Sequence, residues 1–141
     1  MINTKIKKIL VPLDGSSVSM KVLDMTIFLA RQCGATITGI YSHYDPSSSS
    51  ISSIYDMSKA PKEAGEFMEM SKKRAAENGI EFKYVIVAGE PGYNIIKVAQ
   101  GKGKFDLIVI GSGKGTARKL FFGSVSNHIL HKSKIPVLVI K

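Results

Sequence analysis

With 141 residues, 44% of them hydrophobic, the chain has the length of one domain around one core and is too apolar for a disordered segment. No apolar run approaches the roughly 18 residues that span a bilayer, and a single cysteine, Cys33, excludes an internal disulfide or a multi-cysteine metal site. The net charge of +9 is uneven: residues 1–100 hold 12 Lys/Arg against 10 Asp/Glu, and residues 101–141 hold 8 against 1. That basic final third suits an anionic ligand, general nucleic-acid affinity or a plain solvated surface.

Lys8 to Leu13, KILVPL, is a short apolar run of the kind buried on both faces of a sheet. Pro12 cannot donate a ladder hydrogen bond, so the strand ends there. The apolar stretch Ile9 to Leu13 is too short for a secretory h-region, and a cytoplasmic protein is expected. Asp14-Gly-Ser-Ser supplies a turn, with Ser16 and Ser17 as helix N-caps. Positions 18, 22, 25 and 29 share one helical face, which predicts a first helix with those residues inward and Gly34 as its stop. Cys33, next to that stop, is expected to be a packing residue.

Ala35 to Ser42 is rich in β-branched residues and predicts a second strand. His43 to about residue 60 is serine-rich, with four consecutive serines from Ser47 to Ser50, and reads as a mobile connection. A second helix is expected over about Pro61 to Asn78, with Ala64, Phe67, Met68 and Ala75 inward. Phe82 to Ala88 is a third strand and Gly89-Glu-Pro-Gly a turn. Tyr93 to about Gln100 is a third helix with Ile95, Ile96 and Ala99 inward. Leu107 to Ile110, Ser124 to about Lys132 (Val125 and Ile129 inward) and Pro136 to Ile140 complete the series. Strands alternating with helices, without a tight hairpin, predict an α/β fold: an open parallel sheet with helices on both faces. Ligands of such sheets lie outside the carboxyl ends of the strands, where strand order reverses. If the first and fourth strands are neighbours there, Asp14 and the loop at Gly111 face one crevice.

Phe105 to Ser126, FDLIVIGSGKGTARKLFFGSVS, carries the chemistry. A buried strand leads into glycines 111, 113 and 115, which let backbone approach a ligand closely. A Gly-Ser step then opens the last helix, where free N–H groups and the backbone dipole favour an anion. The segment is neither a P-loop, since Lys114 is followed by Gly115, nor a GxGxxG dinucleotide fingerprint. His128 and His131 share a helix face without a third ligand in sight and read as surface residues.

Taken together, KKILVPLDGSS, VAGEPGYNIIKVA, FDLIVIGS and GSVSNHILHKSKIPVLVI, in this order and spacing, resemble the universal stress protein family over essentially the full length. The resemblance implies a Rossmann-like five-stranded parallel sheet of order 3-2-1-4-5. It also implies an adenine nucleotide, ATP or AMP, with or without Mg, and a homodimer formed by strand Ile135 to Ile140. Carried across by position, Pro12, Leu13 and Asp14 would approach adenine and ribose, and Ser42 would line the adenine pocket. Ile110, Gly111, Gly113, Gly123, Ser124, Val125 and Ser126 would hold ribose and phosphates, with Lys114, Arg118 and Lys119 adding attraction. Helix capping is the plain alternative for Asp14 and Ser124. The family's nucleotide-binding branch places two residues between its first two glycines. Here Gly111-Ser112-Gly113 has one, which alters the β/γ-phosphate end of the loop more than the adenosine end.

The functions that follow are a nucleotide-binding sensor or regulator, a protein-interaction module of the same family without nucleotide, and a slow ATPase. Against hydrolysis, Asp14 is the only carboxylate near the loop, because Asp106 begins the fourth strand at its far end; phosphoryl transfer needs positioned groups. Specific nucleic-acid binding is not expected, since interleaved aromatics and a recognition helix are both missing.

Overall fold

The computed structural model describes residues 4–43, 61–112 and 123–141. The serine-rich segment from residue 44 to 60 and loop residues 113–122 lie outside the described residues, so the expected mobile connection, Gly113 and Lys114 receive no structural description. Among the described residues nine elements run in the order β1 (Lys8–Pro12), α1 (Ser17–Cys33), β2 (Thr36–His43), α2 (Lys62–Glu77), β3 (Phe82–Ala88), α3 (Pro91–Ala99), β4 (Leu107–Gly111), α4 (Ser124–Lys132) and β5 (Val137–Ile140). All strand pairs are parallel, and the sheet order is β3-β2-β1-β4-β5. This is the expected α/β fold.

Alternating side chains of β1 explain the two-sided core. Ile9, Val11 and Leu13 pack with Val22, Leu23 and Ile27 of α1 and Met68 of α2. Leu10 points the other way, with Ile108 and Ile110 of β4, onto Ile95 of α3 and Ile129 of α4. A central strand buried on both faces therefore needs an unbroken apolar run and not an alternating one. Among the described residues no helix is long and apolar enough to cross a membrane.

Helix α1 starts where Ser16 Oγ accepts the Ser19 N–H at 3.2 Å, and ends at Gly34, whose φ of 66° is left-handed. Its inward face differs from expectation. Val18 and Met25 are exposed, and Ser19, Val22, Leu23, Thr26, Ile27 and Ala30 are the buried set. The two buried hydroxyls are locally satisfied: Thr26 Oγ1 donates to the Val22 carbonyl at 2.7 Å, and Ser19 Oγ to Asp14 Oδ1 at 2.6 Å. Polar residues can thus occupy a core-facing stripe without leaving a donor unpaired.

In α2, Ala64, Met68, Ser71 and Ala75 are buried, while Phe67 is only partly so. Arg74 on α2 grips the Asp24 carboxylate of α1 with two N–H groups. Helix α3 begins two residues earlier than expected. Glu90 is its N-cap, accepting from Gly92 N at 3.1 Å and Tyr93 N at 2.6 Å. Pro91 fits the first helical position because the N–H it lacks has no intrahelical partner there. His43, expected to open the loop, is instead the last residue of β2, and its carbonyl accepts Gly89 N–H at 2.8 Å.

Candidate functional site

A cleft of about 780 Å³ opens at the carboxyl ends of β1, β2 and β4. The strand order reverses between β1 and β4, so the loops after these two strands splay apart and leave a crevice. Pro12 lines it from the end of β1, Leu13 and Asp14 from the turn that follows, Ser42 from β2, and Ile110 and Gly111 from β4. Gly123, Ser124, Val125 and Ser126 line it from the start of α4. The structure therefore brings together every sequence-derived site residue that lies within the described residues.

Asp14 is held by its own turn. Its Oδ1 accepts the Ser16 N–H at 2.9 Å and the Ser19 hydroxyl at 2.6 Å, while its N–H donates to Ser19 Oγ at 2.9 Å. Ser16 takes the capping position, so Asp14 sits just before the helix with its carboxylate fixed at the edge of the cleft. Gly15 between them has φ of 80°, a conformation that bulkier residues rarely adopt. On β2, Tyr41 has its phenol pKa raised by burial, and then by the nearby charges of Asp14 and Glu63.

At the opposite wall α4 is capped by Gly123, with no side-chain cap, and Ser124 is its first residue. Asn127 N–H makes the bond back to the Gly123 carbonyl at 3.0 Å. The N–H groups of Ser124, Val125 and Ser126 precede it, in the turn that an α-helix leaves without internal acceptors. Ser126 is buried and its hydroxyl donates to the Gly111 carbonyl at 2.8 Å, pinning α4 to the end of β4. Its proton is thus committed within the protein, whereas Ser124 is exposed. The ends of the glycine loop are anchored too: Ser112 N–H donates to Ile140 O at 2.9 Å, and Gly123 N–H to Ser112 O at 3.3 Å. Gly111 is closely packed, since a Cβ there would lie 3.2 Å from Val22 Cγ2 and 3.3 Å from Val18 Cγ1, and α1 would have to give by a few tenths of an ångström to admit one.

Several lining residues are not singled out by the sequence. Val18 and Val22 come from α1, and Ile40, Pro91, Ile95 and Ile129 make an apolar wall on the other face. They lie far apart in the chain, and no local pattern links them. Ser16 and Ser19, which also line the cleft, do have a usable signal: the run DGSSVS offers both a helix cap and a second hydroxyl beside Asp14. Asp106 lies at the other end of β4 and is structural, its Oδ2 accepting the Lys7 and Lys8 N–H groups at 2.8 and 2.9 Å. Among the described residues no group of three or more His, Cys, Asp or Glu is arranged to hold a metal.

Comparison with known proteins gives a consistent picture. Universal stress protein YxiE of Bacillus subtilis is 31% identical over 146 aligned positions, covering 95% of this chain and 98% of that protein. The solved structure of MJ0577, a universal stress protein of Methanocaldococcus jannaschii, superposes with a TM-score of 0.79 at 30% identity, covering 96% of this chain and 95% of the other. Two more distant structures share the fold. A universal stress protein in complex with cAMP has a TM-score of 0.73 at 21% identity, over 97% and 98% of the two chains. One from Archaeoglobus fulgidus in complex with dAMP has 0.69 at 20%, over 98% and 99%. The profile of the universal stress protein family matches residues 5–141, and with the sheet order and the cleft in place the chain belongs to that family.

Proposed function

We propose that the cleft binds an adenine nucleotide, ATP or AMP, and that the protein acts as a nucleotide sensor or regulator. The observation that carries this reading is the convergence of three chemistries in one crevice. A fixed carboxylate at Asp14 suits ribose or base donors, an apolar wall suits a base, and the open first turn of α4 suits phosphate. The volume of about 780 Å³ is within the range of small-ligand sites. Relatives of the same fold bound to cAMP and dAMP support an adenine ligand. Equilibrium titration with ATP, ADP and AMP is expected to give saturable binding, and no binding at millimolar nucleotide overturns the reading. The shortened Gly111-Ser112-Gly113 step acts at the far phosphates, so AMP is expected to lose less affinity than ATP relative to longer-loop relatives. Hydrolysis is the weaker reading, since among the described residues Asp14 is the one carboxylate lining the cleft, and two protein donors already engage it.

A homodimer through β5 is part of the proposal. This strand is an edge of the sheet, and its Leu138 is 37% exposed. An apolar edge invites pairing with a second copy, here antiparallel across a two-fold axis. Light scattering at tens of micromolar is expected to give twice the monomer mass, falling to the monomer mass in Leu138→Lys. A monomeric native protein contradicts the dimer.

A further inference from the structure

The geometry points to Asn94 as a positioning residue that fixes the Ser42 hydroxyl as a hydrogen-bond donor to a ring nitrogen of the bound base. This inference rests on the nucleotide reading of the cleft and adds to it a determinant of base recognition. Asn94 Nδ2 lies 3.0 Å from the Ala88 carbonyl and 3.1 Å from Ser42 Oγ. A carbonyl only accepts, so the Ala88 contact fixes which end of the amide is NH₂, and the second N–H goes to Ser42. Ser42 Oγ is therefore an acceptor on that side, and its own proton is directed elsewhere. No bond made by that proton occurs among the described residues. Ser42 lines the cleft; Asn94 does not, and it acts through the serine.

The surroundings say what the proton meets. Beside Ser42 the wall is Ile40, Pro91 and Ile95, an apolar surface fit for a heterocycle, with one polar group to orient it. The start of α4 follows β4, and β2 is two strands from β4. At roughly 4.8 Å per strand, the hydroxyl stands about 10 Å from the phosphate end. Purine ring nitrogens without hydrogen accept, so a fixed donor at this place reads one of them. Gly89 completes the arrangement: its φ of 121° disfavours a side chain, and an added Cβ would approach Asn94 Nδ2 to 3.2 Å.

The test uses AMP and its 1-deaza, 3-deaza and 7-deaza analogues, titrated against the full chain. In the native protein one analogue is expected to bind about fivefold more weakly than AMP, the size of one neutral hydrogen bond. That difference is expected to vanish in Ser42→Ala, return in Ser42→Thr and shrink toward unity in Asn94→Ala, with melting temperatures confirming that each variant is folded. Discrimination that survives Ser42→Ala, or an equal response to all three analogues, overturns the base-reading role. Discrimination that survives in folded Asn94→Ala overturns the positioning role. Failure of native protein to bind AMP overturns the nucleotide reading itself, an outcome separate from AMP binding with a flat analogue series.

Discussion

Gly39→Val is expected to lower the free energy of unfolding by about 3 kcal/mol, read as a fall in the urea midpoint at unchanged slope. Gly39 is central in β2, paired with Val11 on one side and Tyr84 on the other. A Cβ at this position would lie 2.6 Å from Phe82 Cζ and 2.7 Å from Met68 Cε. Met68 could swing its terminal methyl, but Phe82 presents a rigid ring and both residues are buried. Strand propensity alone favours valine over glycine by up to about 1 kcal/mol. The two effects have opposite signs, and overlap in a close-packed interior is the larger. A midpoint equal to the native one would mean that the sheet and α2 stand further apart at this point than the structure has them.

Asp14→Ala is expected to weaken AMP binding by tenfold or more. A hydrogen bond to a charged group contributes about 1.5–3 kcal/mol, which corresponds to roughly 10- to 150-fold in affinity. The same substitution removes the acceptor for Ser16 N–H and the Ser19 hydroxyl, leaving Ser19, 6% exposed, without its closest partner. Stability is therefore expected to fall by about 1–2 kcal/mol as well. Asp14→Asn separates the two effects, because the amide oxygen can still accept from Ser16 while the charge is gone. Unchanged AMP affinity in both variants would remove Asp14 from the ligand site and leave it a turn residue.

The parts of this fold that were legible in the sequence are those specified by short stretches. Phe82–Ala88 and Ser124–Lys132 have the bounds expected from their apolar runs and flanking glycines. Gly34 stops α1 because glycine takes its left-handed φ of 66° without the Cβ clash that disfavours most other residues. The inward face of α1 was not legible: the apolar residues 18, 22, 25 and 29 have helical spacing, yet burial follows Ser19 and Thr26. Those two serve the core because each finds an acceptor close by in the chain. Likewise the start of α3 depends on Glu90 acting as a cap, a role in which Ser, Thr, Asp or Asn is the usual choice.

The site divides in the same way. Asp14, Gly111 and the Gly123-Ser124 step carry their chemistry in local sequence, and parallel topology delivers them to one crevice. The apolar wall of Ile40, Ile95 and Ile129 exists only after three distant elements pack together. Ser126 shows how packing narrows a residue's options. It is a natural phosphate donor by position, but its hydroxyl ties α4 to the Gly111 carbonyl, so its backbone N–H is what it can offer a ligand.

Occupancy of this crevice by an adenine nucleotide is tested by mapping amide chemical shifts during an AMP titration. Saturable shifts are expected at Asp14, Ser42, Gly111 and the first turn of α4, with Lys8 and Asp106 at the far end of the sheet unmoved. Saturation with no movement at the crevice residues, or with the shifts confined to the far end, would contradict it.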